Sequence, residues 1–237
     1  MDTLPIELVT SIAVSDFNIF TTLLRVNTIG QRLCEQYPQL IAREKFITVM
    51  NNPKTTCTLL NGRLHSFNDQ PAITWTTGKK KWYRYGKHHR GGDLPAVEFV
   101  SGSKEWYYDG KRHRDCDQPA IINVDNEYGR KEWYWHGNRH RENDKPAIEC
   151  TNGGKQWYKH GKIHREGDLP AVDTTSRKEW CYEGKTHRDN DQPAVIYSYG
   201  GKEWYQHGVR HRRDLPAVER VGGTNSWYID GELIKED

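Results

Sequence analysis

Seven tryptophans, Trp82, Trp106, Trp133, Trp157, Trp180, Trp204 and Trp227, recur every 23–27 residues, and each is followed four positions later by a glycine. A fixed period of this length restricts the architecture to stacked copies of one small supersecondary unit. A second phase mark agrees with the first: seven Pro-Ala pairs begin at Pro71, Pro95, Pro119, Pro146, Pro170, Pro193 and Pro216. The fullest copy of the phrase runs from Trp106 to Ala120 as Trp-Tyr-Tyr-Asp-Gly-Lys-Arg-His-Arg-Asp-Cys-Asp-Gln-Pro-Ala.

Each copy reads as β structure. Between Pro95 and His113, Ala96–Val100 suits a strand, Ser101-Gly102-Ser103 a turn, Lys104–Tyr108 a second strand and Asp109-Gly110 another turn. Gly and Pro interrupt every window long enough for a helix. Proline donates nothing to a sheet ladder and belongs at the head of a strand, where these prolines recur. Alternation along the strand sends Trp106 to one face and Tyr107 to the other. The β-branched residue after each Ala (Ile73, Val97, Ile121, Ile148, Val172, Val195, Val218) adds an aliphatic ladder. One hairpin is marginal alone, so neighbours must supply the missing wall. Two strands per copy would give a sheet roughly 65 Å long at about 4.8 Å per strand.

The Trp-x-x-x-Gly-Lys-x-His phrase, as in Trp106…Gly110-Lys111-Arg112-His113, resembles the MORN repeat, and the Asp-x-Pro-Ala extension resembles a MORN variant known from bacteria and large DNA viruses of amoebae. The resemblance covers about three quarters of the chain and implies stacked β-hairpins. Where the family has Gly-x-Gly after the His, this chain has Arg and Asp, a departure that bears on the lipid-binding role attributed to ordinary MORN arrays.

The first fifty residues differ in kind. They lack Trp, hold few Gly and place apolar residues at helical spacing, as in Leu8, Val9 and Ile12, then Phe17, Phe20, Leu23 and Leu24. Three or four short helices are expected. Leu4-Pro5-Ile6-Glu7-Leu8, then Ile12, then Leu23-Leu24-Arg25-Val26, resembles an F-box. That resemblance covers about 40 residues and implies docking on a Skp1-type adaptor of a ubiquitin ligase through Leu4, Pro5, Leu8, Ile12, Leu23, Leu24 and Val26. Gly30 stands where the family places a Trp. The competing reading is a helical cap over an otherwise open sheet edge.

The sequence thus predicts a mainly β protein: an elongated, single, twisted antiparallel sheet of stacked MORN-like hairpins with a small α-helical head. The head spans 1–50, a linker and first strand 51–59, and the array of about seven copies 60–237. Asn51-Asn52-Pro53-Lys54 carries the linker signal, and Thr55–Leu60 suits the first strand.

Composition narrows the function classes. Lys+Arg 35 against Asp+Glu 32 gives +3, too balanced for a dedicated nucleic-acid binder. Mean hydropathy of −0.96 hints at disorder, but nine Trp and thirteen Tyr argue for a thin aromatic core with much wetted surface. Five cysteines at irregular phases suit reduced thiols rather than a disulfide framework. No stretch approaches the roughly 20 apolar residues of a membrane span. With Asp2 and Glu7 near the start and no Asn-x-Ser/Thr acceptor, an intracellular location is expected, host cytoplasm or particle if viral.

The repeated His-Arg-x-x-Asp phrase places His89, His113, His140, His164, His187 and His211 ahead of Asp93, Asp117, Asp144, Asp168, Asp191 and Asp214, the last one residue short. Catalysis needs a site once, whereas a structural device is needed in every copy. The Asp is expected to accept turn hydrogen bonds, and the Arg to pair with it or with the next copy's carboxylate. Equivalent histidines lie about 10 Å apart, too far to share a zinc. His136/His140, His160/His164 and His207/His211 are closer, yet no third ligand recurs. Lys-x-Trp-Tyr phrases mix cations with aromatics as single-strand binders do, but Glu105, Glu132, Glu179 and Glu203 interrupt the stripe. No cofactor, metal or catalytic residue is expected. The sequence points to a non-enzymatic scaffold that grips a partner protein, or to a structural component of a large assembly such as a minor capsid protein of a giant virus.

Overall fold

The computed structural model describes residues 47–124 and 129–237. The described residues are mainly β and contain no helix. The head residues lie outside them, except that the sheet begins at Ile47, inside the segment assigned to the head. Ile47–Asn52 pairs antiparallel with Thr55–Leu60, so Pro53-Lys54 is a hairpin turn and not a linker.

The described residues fall into two compact parts, divided between Val100 and Ser101. In the first, the ladder runs Ile47–Asn52, Thr55–Leu60, Ile73–Trp75, Lys80–Lys81, Val97–Glu98, each antiparallel to the next. In the second it starts Lys104–Glu105, Ile121–Asn123, Arg130–Glu132, Ile148–Cys150 and continues in the same order to Ser226–Ile229 and Glu232–Glu236. Stacked antiparallel hairpins are therefore present as expected.

The expected two strands per copy are in fact four short ones. The strand through Trp106 divides into Lys104–Glu105, in the long ladder, and Tyr107–Tyr108, which pairs with Lys111–Arg112 in a side hairpin. The division falls on the tryptophan for a hydrogen-bonding reason. Trp106 N–H donates to the Ala120 carbonyl, and its own carbonyl accepts from His113 N–H. Two different stretches, joined by an excursion through Arg114–Gln118, thus flank one residue. The same bonds recur at Trp133, Trp157, Trp180 and Trp204.

The side hairpins turn on two left-handed residues, Asp109 (φ 47°) and Gly110 (φ 84°), the pattern of a type I′ turn. The hairpins also join their neighbours: Gly137 N–H donates to the Arg112 carbonyl and Gly161 N–H to that of Arg139. A Cβ on Gly137 would meet the Lys111 stem at 3.6 Å, an ordinary contact, so it is the left-handed backbone (φ 95°) that calls for glycine here. The core is a thin stripe: Ala96, Ala120, Ala147, Ala171, Ala194 and Ala217 are fully buried, with the β-branched residue and the Trp of each copy beside them.

Candidate interaction surface

Six tryptophans are held by the same arrangement. The guanidinium of Arg90, Arg114, Arg141, Arg165, Arg188 or Arg212 lies 3.7–4.0 Å from the ring centroid of the Trp eight residues before it. Stacked so, a guanidinium gains from the ring quadrupole and keeps its edge free for hydrogen bonds. Around Trp133 all three nitrogens of that edge are engaged. Arg141 Nε and Nη2 donate to the two Asp117 oxygens at 2.7 and 3.2 Å, and Nη1 donates to the Pro146 carbonyl and to Glu149 Oε1. The indole N–H of Trp133 donates to the Asp117 carbonyl at 3.0 Å.

The partner of each Arg is the Asp of the preceding copy. Arg90 takes Asp69, Arg165 takes Asp144, Arg188 takes Asp168 and Arg212 takes Asp191. The expected bond to the Asp of the same His-Arg-x-x-Asp phrase is not the one made, because the loop that carries Asp117 lies over the next tryptophan; the expected bond to a following carboxylate is made by Arg90, Arg141 and Arg212, to Glu98, Glu149 and Glu219. Asp117, Asp144, Asp168 and Asp191 are left-handed, as is the residue before each of them. The Arg141 hydrogen bond, helped by Lys145, holds the Asp117 carboxyl down to about 2, and Asp69, Asp144 and Asp168 are lowered chiefly by their own arginines. Asp93 is exposed and left-handed, whereas Asp214, in the shortened loop, is exposed and not left-handed.

The histidines form a second stitch. Nδ1 of His113, His140, His164 and His187 accepts the backbone N–H of a turn residue in the following copy, at 3.1–3.5 Å. That leaves the ring proton on Nε2, which faces a carboxylate two residues on: Asp115 at 3.1 Å, Glu142 at 2.8 Å, Glu166 at 3.5 Å, Asp189 at 3.3 Å. The rings that meet are His113/His136, His140/His160 and His187/His207, stacked with centroids 4.4–4.5 Å apart. These pairs join successive copies, whereas the sequence drew attention to neighbours across one turn. Among the described residues no group of three or more His, Cys, Asp or Glu side chains is placed to hold a metal.

The face opposite the tryptophans carries Tyr, Glu and Arg. The Tyr107 hydroxyl donates to Glu105 at 2.6 Å, and that of Tyr134 to Glu132 at 2.9 Å. Glu132, 1% exposed, is compensated by Arg130 and Arg139. Burial, and then the Glu105 carboxylate, pushes the Tyr107 phenol up to about 12. Burial likewise pushes the Cys181 thiol up to about 12, which makes it a packing residue rather than a nucleophile.

On the tryptophan face the lysines of the Lys-x-Trp phrase are separated by acids from adjacent strands: Lys131 sits opposite Glu149, Lys155 opposite Asp173 and Lys202 opposite Glu219. Such alternation is no continuous cationic track. What this face of the second part does offer to solvent is Tyr108 (53% exposed), Trp135 (49%) and Tyr182 (55%), each two residues beyond its Trp or equivalent position in a side hairpin. Neighbouring side hairpins follow each other at two strand spacings, about 10 Å.

The sequence analysis named the Trp, His and Asp ladders and a following carboxylate for the arginine, found as Glu98, Glu149 and Glu219, and missed two elements: the carboxylate two residues after His in four copies, and the exposed aromatics of the side hairpins. The first had a visible signal, since Asp or Glu recurs two residues after His in four copies. The head residues Leu4, Pro5, Leu8, Ile12, Leu23, Leu24 and Val26 lie outside the described residues. Trp227 keeps its phase but is only half-buried, with Lys235 Nζ 4.5 Å from its ring. No family model matches the chain, and no curated protein matches it. No helix of the described residues is long and apolar enough to cross a membrane.

Proposed function

We propose that this chain is a non-enzymatic scaffold whose hairpin array grips a partner protein, with the F-box-like head presenting that partner to a Skp1-type adaptor. The observation that supports the array's part is how its polar groups are spent. Arg, Asp, His and Glu recur in copy after copy and bond to one another, while large aromatics, Tyr108, Trp135 and Tyr182, remain at the surface. Large, stiff aromatics deliver contact area at low entropic cost and are enriched in binding hot spots.

The test is a retention assay with the full chain and a purified Skp1-type adaptor, followed by proximity labelling of the cellular partner. The adaptor is retained by the wild-type chain and lost on Leu8→Asp. The Tyr108→Ser/Trp135→Ser/Tyr182→Ser variant keeps the adaptor and the wild-type melting temperature but loses the labelled partner. Failure to retain the adaptor, with the chain found in purified particles, would favour the structural-component reading.

A further inference from the structure

The second part carries a row of lysines that the clamps leave unused. Lys104, Lys131, Lys155, Lys178 and Lys202 each stand two residues before a clamped tryptophan, and all five are exposed. The cross-strand register sets them in one line across the sheet, in the order Lys104, Ile122, Lys131, Glu149, Lys155, Asp173, Lys178, Ile196, Lys202. A lysine therefore stands on every second strand, at intervals of about 9.6 Å. Glu149 is turned to Arg141 at 2.8 Å, so Asp173 is the acid of the line that no arginine takes. Among the described residues no ion pair joins any of the five amines to a carboxylate. Like charges about 10 Å apart sit near the screening length of physiological salt, so the free chain tolerates the row.

The interval selects the kind of anion that fits. A polynucleotide is charged at every residue, so some of its charges would fall on Glu149 or Asp173 instead of on a lysine. An extended β-strand repeats a face at about 6.8 Å, well short of the interval. An α-helix repeats a face every seven residues, about 10.5 Å, and over four intervals falls out of step by about 4 Å. A polyproline-II helix has three residues per turn and rises about 3.1 Å per residue, so every third side chain returns to one face after about 9.3 Å. The lag of about 0.3 Å per interval sums to roughly 1 Å over the row, within the reach of a flexible four-carbon lysine stem.

We infer that this row binds an acidic polyproline-II segment of a partner polypeptide, one with Asp or Glu at every third position. Each carboxylate meets one lysine amine. Ile122 and Ile196, half-buried between lysines, offer apolar contact to the residues between the acids. Such a segment is extended before it binds, so little ordering entropy is lost on docking. The assignment rests on the scaffold reading and names the chemistry of the partner. Its test uses this chain and synthetic ligands without adaptor or cell, so its failure leaves adaptor retention and partner labelling standing.

The experiment titrates the full chain at low ionic strength and follows its backbone amides by NMR. The ligands are a peptide of five Glu-Pro-Pro triplets, its Gln-Pro-Pro counterpart, a peptide of five Glu-Pro pairs, and an oligothymidylate of equal charge. The Glu-Pro-Pro peptide shifts the amides of the lysine strands saturably, and the Gln-Pro-Pro peptide does not. The Glu-Pro peptide, whose acids return at about 6.2 Å, binds more weakly. Lys131→Gln/Lys155→Gln/Lys178→Gln keeps the wild-type melting temperature and weakens the Glu-Pro-Pro peptide about tenfold, the sum of three exposed ion pairs. No binding of the Glu-Pro-Pro peptide, or shifts scattered away from the lysine strands, would overturn the site. Equal affinity for the Glu-Pro peptide would overturn the spacing, and oligothymidylate binding as tightly would overturn the polypeptide.

Discussion

Trp133 and Trp227 hold the same place in their copies and live in different surroundings. Trp133 is 6% exposed, donates to the Asp117 carbonyl and lies beneath Arg141, which is itself fixed by Asp117 and Glu149. Trp227 is half-buried; Lys235 stands in the arginine's place, the strand pairing slips between Trp227 and Tyr228, and every residue of Glu232–Glu236 is exposed. Lysine has no planar fork, so it covers the ring as a point charge and cannot offer a carboxylate the bidentate edge that a stacked guanidinium does. The aromatic alone therefore does not seal a copy. The seal is the loop of the copy before and the arginine of the copy itself.

That comparison is open to a direct blow. Trp133→Ala costs about 3–5 kcal/mol, as truncation of core aromatics does, while Trp227→Ala costs about 1–2 kcal/mol because less apolar surface is recovered by water. Urea denaturation of the two variants beside wild type reads the difference. Equal losses would mean that the clamp adds nothing to burial.

Acid sharpens it next. Asp69, Asp117, Asp144 and Asp168 have folded-state values below their ordinary range, so their contribution is complete above about pH 4 and is lost as pH falls through the folded values, about 2 for Asp117. Because these carboxylates are about half exposed, solvent screening keeps each share small. Melts between pH 5 and pH 2 should show wild type losing stability and an Arg141→Leu variant losing less of it over the same interval. Parallel curves would remove the Arg141–Asp117 bond from the account.

The smallest effect concerns a departure within an internal copy. The residue before the clamp Asp is Asn68, Gly92, Asn143, Gly167 or Asn190, all tolerant of left-handed backbone, but in one copy it is Cys116 at φ 58°. Cys116→Asn should stabilise by about 0.5–1 kcal/mol, read as a rise of about 1–4 °C in Tm. No rise would indicate that the cysteine's backbone carries no penalty there.

Much of the fold was legible because the repeat restates its demands. The I′ turn is written as a glycine four residues after each Trp, and the strand start as Pro-Ala. The interruption at Trp106 was not legible. It comes from Ala120 and His113 bonding to the two sides of one residue, and no local pattern marks a strand whose neighbour changes midway. The direction of the Arg–Asp bond was hidden for a related reason. Arg141 and Asp144 are close in sequence, but the excursion that carries each Asp folds over the following tryptophan, so the bond goes from Arg141 to Asp117. His113 and His136 were likewise overlooked as a pair because they are neighbours only once successive hairpins are stacked.

The coupling of each arginine to the loop behind it works like a hook and an eye, one of each per period. Removing or duplicating a full period, for instance residues 134–157, returns every hook to a matching eye, so slippage or unequal exchange in the coding repeat can lengthen or shorten this protein without leaving a mismatched joint. An insertion or deletion of a single residue has no such immunity. Asp214, one residue early in its loop, is exposed and lacks the left-handed backbone of its counterparts, the mismatch such a change would produce.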